Sequence, residues 1–261
     1  MAFDLLGEDN SPLLGANDPS PIRIVNPGGA STFLLIGDHA GNCVPERLGT
    51  LGLPADERRR HIAWDIGIAA LGEMLAERLD AVFIAQAYSR LVVDCNRDTA
   101  APDLISEVAD GTRIPGNAAL SAADRDRRIA EIHEPYQGAI AADLARRDRA
   151  GGETILVALH SFTPVMNGRA RPWQIGVLHD RGDASFAVAV LDRLRGDGIW
   201  TVGDNQPYRM DVIDYTIPRH AYDRGRRYVE LEIRQDLIAD TPGQAAWADH
   251  LAKLLCVAAR R

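Results

Sequence analysis

Short apolar runs alternate with segments of helical periodicity along most of this sequence, and that alternation constrains the fold more than any other feature. Apolar runs of strand length lie at 31–37, 81–85, 90–96, 154–160, 173–179, 199–203 and 227–234. Helical periodicity covers 55–79, a stretch from Ser121 to about Arg149, 184–196 and 243–260. Strands that alternate with helices form βαβ units and a largely parallel sheet. The sequence therefore predicts an α/β fold of three layers, helix–sheet–helix.

The chain divides into an N-terminal arm and one domain. Residues 1–30 are rich in Pro, Gly, Asn and Ser, which predicts an irregular arm. No linker or repeat interrupts 31–261, so we expect a single α/β domain there. The polar stretch 98–120 contains Gly and Pro, and we interpret it as a loop that covers an active site. Ser121 followed by Asp124 is typical of the first turn of a helix.

Charge and composition exclude several classes of function. The chain has 29 Lys+Arg and 37 Asp+Glu, a net charge of −8, so general binding to nucleic acid or to an anionic membrane is not expected. No apolar run reaches the roughly 18 residues needed to span a bilayer. The N-terminus is acidic and lacks the basic stretch of a signal peptide. We therefore expect a cytoplasmic protein.

Lysine and cysteine usage narrow the chemistry further. Lys253 is the only lysine and lies in a helical segment, which excludes a Schiff-base or phosphate-loop lysine. An anion bound by this protein must therefore be bound by arginine. Cys43, Cys95 and Cys256 are odd in number and widely spaced, which argues against a disulfide framework or a cysteine zinc site.

Polar side chains with catalytic potential follow or end four of the predicted strands. Ligands bind at the carboxyl ends of strands in open α/β sheets, so these side chains are candidates for one site. Two strand-end histidines and a carboxylate can form a three-ligand zinc site with one position left for water. The alternative is that each histidine is simply hydrogen-bonded near a loop. The candidates are Asp38 and His39, Asp94 to Arg97, His160 and Ser161, and Glu232 with Arg234.

The last predicted strand carries a row of charged residues. Alternation places Glu230, Glu232 and Arg234 on one face, which suits either a cleft or the solvated side of an edge strand. A glutamate near an activated water commonly accepts its proton and later returns it. Glu232 is therefore a candidate general base.

Two arginines flank the apolar run at 91–95. Arg90 and Arg97 can each bind a substrate carboxylate through two nitrogens, or form salt bridges with Asp94 or Asp98. His220, in a polar loop ahead of the last predicted strand, is either a substrate contact or an ordinary loop residue.

Five motifs, in order, resemble the N-formylglutamate amidohydrolase family. The resemblance implies an α/β phosphorylase/hydrolase-like fold, similar to the zinc carboxypeptidases and aspartoacylases, with a mixed, largely parallel sheet. It also implies one Zn²⁺ ion as cofactor. The motifs are D-H-A-G-N (38–42), H-I-A-W-D-I-G (61–67), Y-S-R-L-V-V-D-C-N-R (88–97), L-H-S-F (159–162) and E-L-E-I-R-Q-D-L (230–237), and they cover roughly 31–240.

The resemblance implies the catalytic roles. His39 and His160 match the two zinc histidines, and Glu232 matches the general base. Arg90 would polarise the scissile carbonyl and stabilise its oxyanion.

The third metal ligand departs from the related carboxypeptidase pattern, H-x-x-E. The position three residues after His39 is Asn42, and an amide is a poor ligand for zinc. We therefore expect Asp65 to be the third ligand, with Asp38 and Glu46 as alternatives. A chain in which no metal binds is the other alternative.

The resemblance also implies the substrate contacts. Asn96 and Arg97 look like the pair that holds a substrate carboxylate in the carboxypeptidase-like enzymes. A substrate with two carboxylates needs a second cation as well, and Arg219 or His220 would supply it. The substrate-binding residues expected on this basis are Ser89, Asn96, Arg97, Arg219, His220 and Arg234.

These expectations lead to a function. The first hypothesis is a zinc-dependent amidohydrolase that acts on a linear amide, a small acidic N-acyl amino acid, with N-formyl-L-glutamate as the substrate implied by the resemblance. One alternative is a metal amidase that acts on another N-acyl or peptide-like substrate. Another is a non-catalytic binder of acidic metabolites that keeps the arginines and lacks the metal.

Overall fold

The computed structural model describes residues 11–211 and 213–260, and its core is a seven-stranded sheet with helices on both faces. The strands are β1 (Ile22–Val25), β2 (Phe33–Gly37), β3 (Val82–Gln86), β4 (Val108–Ala109), β5 (Thr112–Arg113), β6 (Ile155–Phe162), β7 (Val165–Met166), β8 (Arg169–Ala170), β9 (Ile175–Leu178), β10 (Val202–Asp204) and β11 (Tyr228–Arg234). The helices are α1 (Ile68–Leu79), α2 (Ala122–Arg128), α3 (Glu134–Arg149), α4 (Ser185–Asp197) and α5 (Thr241–Ala258), with π-helical turns at Ile129–His133 and Pro218–Tyr222. Short 3-10 turns lie at Glu46–Leu48, Glu57–Arg59, Pro115–Asn117 and Gln235–Leu237.

The strand order in the sheet is β1-β3-β2-β6-β11-β9-β10. The four central strands β3, β2, β6 and β11 run parallel to one another. β1 is antiparallel to β3, and β9 is antiparallel to β11 and parallel to β10. The predicted mixed, largely parallel sheet is confirmed, and the carboxyl ends of β2, β6 and β11 meet at one edge.

Two hydrophobic clusters cover the two faces of the sheet. Successive residues of β6 enter different clusters, because side chains alternate along a strand. Val157 and Leu159 pack on the side of α1, α4 and α5. Leu156 and Ala158 pack on the side of α3. This arrangement gives the three layers predicted from the sequence. Within the described part of the chain, none of the helices has the length and apolar character required to cross a membrane.

The apolar run 90–96 was predicted to be a strand and is instead a buried series of turns. The N–H of Val92 donates to the carbonyl of Ser89 at 2.9 Å, and that of Arg97 to the carbonyl of Asp94 at 3.2 Å. Apolar runs indicate burial more securely than they indicate a backbone conformation, and here the chain is buried without joining the sheet.

Helical periodicity over 55–79 corresponds to a helix only from Ile68 onward. Residues 57–59 form a 3-10 turn and 61–66 form a loop. Gly67, with φ of 88°, separates this loop from α1. That left-handed conformation is one that glycine adopts without strain.

The predicted irregular arm, 1–30, contains the edge strand β1, while residues 1–10 lie outside the described part of the chain. The predicted loop 98–120 is largely irregular and includes the small β4–β5 hairpin. Ser121 begins a helix as predicted, and its hydroxyl oxygen accepts the N–H of Asp124 at 3.0 Å.

Candidate active site

A cavity of about 300 Å³ lies at the carboxyl ends of β2, β6 and β11. Its walls come from the segment after β2, the loop at 61–65, the turns at 90–97, the segment 103–110 and residues 208, 209, 213 and 214. Its charged and histidine lining comprises His39, His61, Asp65, Arg90, Asp94, Arg97, Asp103, Asp110, His160, Arg209, Asp214, Glu230 and Glu232.

Asp65 lies between the two histidines that the sequence singled out. Its Oδ2 is 2.8 Å from Nδ1 of His160 and 3.5 Å from Nδ1 of His39. All three side chains are buried, and one possible ligand atom from each lies within 4.8 Å of the others. Two imidazole nitrogens and a carboxylate oxygen therefore converge as they do in three-ligand metal sites.

Each histidine also approaches a second carboxylate with its other ring nitrogen. Nε2 of His39 donates to Oδ1 of Asp94 at 2.7 Å. Nε2 of His160 lies 3.3 Å from Oδ2 of Asp38, in contact but without hydrogen-bond geometry. A carboxylate at Nε2 keeps the proton there and leaves the Nδ1 lone pair for a metal ion. Nδ1 of His39 is buried without a hydrogen-bond partner in the described chain, so the donor set fits a metal such as zinc.

The loop that carries Asp65 is bound to two strands of the sheet. The N–H of Asp65 donates to the carbonyl of His39 at 2.9 Å. The N–H of Ser161 donates to Oδ2 of Asp65 at 3.3 Å, and the hydroxyl of Ser161 donates to the carbonyl of Ile66 at 2.9 Å. These bonds place Asp65 on a rigid loop instead of the helix that periodicity predicted.

The carboxylates around the two histidines raise the pKa of both imidazoles. Burial and Arg90 lower the pKa of His39, but Asp94 and Asp65 outweigh them and the net pKa is raised. Burial lowers the pKa of His160 as well, and Asp38 and Asp65 raise it well above its usual value. Burial raises the pKa of Asp65, but the two histidines lower it further, so this carboxyl stays ionised.

Glu230 and Glu232 line the cavity from β11 and are buried. Burial raises the pKa of Glu232 to about 8, against the opposing charge of His160. Burial and the nearby Asp214 raise the pKa of Glu230 well above its usual range. β11 lies inside the sheet, between β6 and β9, so the charged face of this strand borders a cleft and is not a solvated edge.

Arg90 and Arg97 both line the cavity, and both also form ion pairs. Nε and Nη2 of Arg90 donate to Oδ2 of Asp94 at 3.1 and 2.6 Å. Nη1 of Arg90 is 4.0 Å from Oδ1 of Asp65 and is the guanidinium nitrogen left for a ligand. Nε of Arg97 donates to Asp103 at 2.8 Å. Arg90 therefore does both things that the sequence suggested: it forms a salt bridge with Asp94, and it lines the cavity.

Asn96 lines the cavity, but its amide oxygen is used within the protein. Oδ1 accepts the backbone N–H groups of Tyr215 and Thr216, each at 2.9 Å. Nδ2 lies 3.4 Å from Oδ1 of Asp214. Asn96 therefore supports the segment 214–216, and its amide oxygen is not free to contact a substrate.

Ser89 and Arg234, both expected to bind substrate, lie outside the cavity lining. Ser89 is buried, and its hydroxyl donates to the carbonyl of Ala63 at 2.7 Å. Arg234 shares a strand face with Glu232, but it is the last residue of β11 and its Nε donates to Asp236 at 2.8 Å. A partner within the chain holds each side chain, so the structure does not bring Ser89 or Arg234 into the cavity.

Arg219 and His220, expected to form a second carboxylate site, also lie outside the lining. Arg219 is exposed, and its guanidinium carbon lies 5.2 Å from the centroid of the Tyr215 ring. His220 is buried and donates from Nε2 to Oε1 of Gln137 at 2.7 Å. Both belong to a π-helical turn, and it is the loop before this turn that reaches the cavity.

Tyr208, Arg209 and Asp214 line the cavity although the sequence did not single them out. They lie in the connection between β10 and β11. Gly176 allows this connection to cross the sheet closely, because a Cβ at this glycine would lie 2.1 Å from the carbonyl oxygen of Gln206. In the sequence the stretch G-D-N-Q-P-Y-R resembles any polar connection, and only this close approach brings it to the site.

Two small hairpins contribute to the cavity wall. Val108 and Asp110 come from the β4–β5 hairpin, and Met166 comes from β7–β8. Arg60 binds the first hairpin, with its Nη2 donating to Oδ2 of Asp110 at 2.6 Å. The predicted loop 98–120 therefore borders the cavity.

A known family model covers most of this chain. Residues 31–239 match the family model described as N-formylglutamate amidohydrolase. The matched range contains His39, Asp65, His160 and Glu232. It also contains the loop 98–120 and the β10–β11 connection, which both contribute residues to the cavity wall.

Several relatives match over different lengths. A curated N-formylglutamate deformylase from Pseudomonas aeruginosa is 34% identical over 133 residues, 46% of this chain and 49% of that protein, so the chain matches about half the length of this relative. The solved structure of a gene product from Agrobacterium tumefaciens is 36% identical, with a TM-score of 0.92 and coverage of 95% of this chain and 98% of that one. N-formylglutamate amidohydrolase from Ralstonia eutropha JMP134 is 21% identical, with a TM-score of 0.67 and coverage of 93% and 98%, which is a likeness of fold.

Proposed function

The chain belongs to the N-formylglutamate amidohydrolase family, and from that premise we propose that it is a metal-dependent amidohydrolase that cleaves N-formyl-L-glutamate into formate and glutamate. The observation that carries this proposal is the meeting of His39, Asp65 and His160 with Glu232 in one cavity. The Pseudomonas relative is named N-formylglutamate deformylase, and about half of its length matches this chain.

His39, Asp65 and His160 would hold the metal. A zinc ion held there would supply a Lewis acid for the formyl carbonyl and would lower the pKa of a water molecule. Asp94 and Asp38 contact Nε2 of the two imidazoles, the ring nitrogen that does not face the metal position. They orient the rings as carboxylates generally orient metal-binding histidines. Asp65 replaces the carboxylate that the H-x-x-E pattern takes from the position of Asn42, whose Nδ2 donates instead to the carbonyl of Arg58 at 2.7 Å.

Glu232 moves the protons of the reaction. It accepts a proton from the water whose oxygen attacks the formyl carbon. It then gives this proton to the amide nitrogen as the C–N bond breaks, so that glutamate leaves as the amine. A group that both accepts and returns a proton works best when its pKa lies near the working pH. Burial brings the pKa of Glu232 to about 8, and a cation bound nearby would lower it from there.

Arg90 and Arg97 provide positive charge at fixed places. Asp94 holds the guanidinium of Arg90 in one orientation, so Nη1 can donate to the oxygen that becomes negative in the transition state. Arg97, held by Asp103 through Nε, binds the α-carboxylate of the substrate. Because both guanidinium groups are held in place, little side-chain entropy is lost when substrate binds.

Arg209 takes the place that Arg219 and His220 were expected to fill. It lines the cavity and is exposed, and it forms no ion pair with the described residues. We propose that it binds the side-chain carboxylate of the substrate. The other two cavity arginines, Arg90 and Arg97, each already neutralise an aspartate.

A second candidate substrate follows from apolar residues at the cavity. Val108, Tyr208 and Ile213 line it while remaining 59%, 38% and 48% exposed. An apolar acyl group larger than formyl would cover these side chains. N-acetyl- and N-butyryl-L-glutamate are therefore the second substrates to assay.

We also propose a cytoplasmic location. Cys43, Cys95 and Cys256 are free thiols in the structure. Free thiols suit a reducing compartment.

Release of formate from N-formyl-L-glutamate tests the proposed reaction. We expect the wild-type protein to be active, to lose activity in a chelator and to regain it with Zn²⁺. Glu232→Gln should lower kcat by roughly 100- to 10,000-fold, because it removes the proton acceptor. The matched control is Glu153→Gln, an exposed glutamate that pairs with Arg227 away from the cavity. Undiminished activity in both the chelator and Glu232→Gln would contradict the proposed mechanism.

A further inference from the structure

A series of buried hydrogen bonds leads from the cavity into the protein interior. The hydroxyl of Thr216 donates to Oδ1 of Asp38 at 2.6 Å. Nε2 of Gln137 donates to Oγ1 of Thr216 at 3.0 Å, and Nε2 of His220 donates to Oε1 of Gln137 at 2.7 Å. At the cavity end of the series, Oδ2 of Asp38 is 3.3 Å from Nε2 of His160. We call the three residues behind Asp38 the Thr216–Gln137–His220 relay.

A backbone carbonyl determines the direction of the bonds in this series. Nε2 of Gln137 donates to the carbonyl oxygen of Cys95 at 2.8 Å, which can only accept, so the amide nitrogen of Gln137 also faces Thr216. Thr216 accepts from that nitrogen and donates its own hydroxyl proton to Asp38. The amide of Gln137 then presents nitrogen to Thr216 and oxygen to His220, which must carry a proton on Nε2. Reversing any member would leave a buried polar atom without a partner, which costs about 1–3 kcal/mol.

Burial makes this series unusually isolated from solvent. Asp38 and Thr216 are each 1% exposed, Gln137 is 2% exposed and His220 is 7% exposed. Burial, together with the charge of Arg219, lowers the pKa of His220 to about 4, so at neutral pH this histidine is an uncharged donor. Water does not compete for these bonds, and each bond therefore restrains its partner strongly.

We propose that Thr216, Gln137 and His220 are positioning residues for the metal site, and that they act on His160 through Asp38. The relay sets the plane of the Asp38 carboxyl, which lies against the outer nitrogen of His160. That contact leaves the inner nitrogen of His160 facing Asp65. The inference rests on the proposed metal site and does not depend on which amide is the substrate.

The relay also joins the metal site to the loop that lines the cavity. The N–H of Thr216 donates to Oδ1 of Asn96 at 2.9 Å, in addition to the bond from its hydroxyl. Thr216 lies two residues after Asp214, which lines the cavity together with Tyr208 and Arg209. One residue therefore restrains both a ligand histidine and a substrate-binding loop.

Zinc affinity, measured by competition with a chromogenic chelator, tests the relay in the full-length protein. Thr216→Val keeps the volume and removes the donor, and we expect roughly 10-fold weaker zinc binding, the lower end of the effect of outer partners on metal sites. Thr216→Ser should restore wild-type affinity. The matched control is Thr154→Val, because Thr154 is also buried, at 4% exposure, and its hydroxyl has no hydrogen-bond partner in the described chain.

Gln137→Met interrupts the relay one hydrogen bond further from the metal site. It is the variant to measure if Thr216→Val fails to fold. We expect about 3-fold weaker zinc binding in this variant, again at an outer partner, and lower kcat with little change in KM. Wild-type zinc affinity in both Thr216→Val and Gln137→Met, or an equal loss in Thr154→Val, would overturn the proposal. A wild-type protein that binds zinc but does not cleave N-formylglutamate would refute the substrate alone, whereas one that binds no zinc would refute both.

Discussion

Asp94 serves two neighbours at once, which shows how closely single residues of this site depend on one another. Its Oδ1 accepts Nε2–H of His39 at 2.7 Å, and its Oδ2 accepts Nη2–H of Arg90 at 2.6 Å. One carboxylate therefore orients both a proposed metal ligand and the proposed oxyanion donor. Burial raises the pKa of Asp94, but Arg90 and His39 lower it well below its usual value, so it remains an acceptor at every pH where the protein would work.

The proposed role of Arg209 predicts a preference for substrates that carry a side-chain carboxylate. Arg209→Ala should raise KM for N-formyl-L-glutamate by roughly 10-fold and leave kcat within about 2-fold, because an exposed charge-assisted contact to a distant carboxylate contributes uniform binding. N-formyl-L-glutamine, which lacks that carboxylate, should be cleaved equally well by both proteins. Steady-state formate release from the two substrates measures kcat and KM for each protein, and so the ratio of their KM values.

The control for Arg209 is another exposed arginine far from the cavity. Arg195 lies on α4 and pairs with Asp204 at 3.2 Å. Arg195→Ala should leave both KM values unchanged. Equal losses on N-formylglutamate and N-formylglutamine in Arg209→Ala would show that this arginine does not bind the side-chain carboxylate.

Strand ends were enough to point to His39, His160 and Glu232, because parallel strands bring their carboxyl ends to one edge wherever they lie in the sequence. Arg209 could not be found in this way. Its position depends on a connection that crosses the sheet at Gly176, which is a tertiary contact with no local signature. Arg219 was expected, as an alternative to His220, to hold the second substrate carboxylate, and its guanidinium lies over the ring of Tyr215 instead.

At the scale of elements, periodicity predicted most strands and misread the two segments that build the site. The run 90–96 is apolar because it is buried under the 98–117 region, with the N–H of Asp94 donating to the carbonyl of Leu104 at 2.8 Å. Residues 61–66 keep a helical spacing of apolar positions but form the Asp65 loop. Both are segments in which site geometry, and not regular backbone hydrogen bonding, determines the conformation.

Gly67 marks the boundary between the Asp65 loop and α1, and it gives a prediction about stability. It has φ of 88°, and a Cβ there would lie 2.3 Å from the carbonyl oxygen of Ile238. Gly67→Ala should therefore lower the free energy of unfolding by about 2 kcal/mol or more, through backbone strain and overlap together. Urea unfolding followed by circular dichroism measures the change.

The matched substitution is Gly138→Ala, in the middle of α3. A Cβ at Gly138 meets nothing within 4 Å, and the residue is helical. Alanine should raise the free energy of unfolding by about 0.5–1 kcal/mol, because glycine loses more backbone entropy in a helix. If both alanine variants change stability in the same direction, the conformation of Gly67 does not control the boundary as argued.

At the scale of the whole molecule, the proposed site joins parts of the chain that are far apart in sequence. His39 follows β2, Asp65 precedes α1, and His160 lies in β6 opposite Glu232 of β11. β2, β6 and β11 are neighbours in the sheet, so the order of strands brings His39, His160 and Glu232 together. Hydrogen bonds from the loop to His39 and Ser161 add Asp65. A metal ion held there would bind the folded chain and not the unfolded one, and folding and metal binding should be coupled.

This coupling makes the last prediction. Free Zn²⁺ at 100 times its dissociation constant should raise the free energy of unfolding by about 2.7 kcal/mol. For a chain of this size, that corresponds to a rise in Tm of roughly 5–10 °C. Differential scanning calorimetry with zinc and with a chelator measures the difference.

Asp65→Asn weakens the ligand set, so its Tm should be the same in zinc and in chelator, whatever its absolute value. Glu153→Gln should keep the full zinc-dependent shift, because its exposed side chain pairs with Arg227 outside the cavity. A zinc-dependent shift that persists in Asp65→Asn would place the metal elsewhere in the protein.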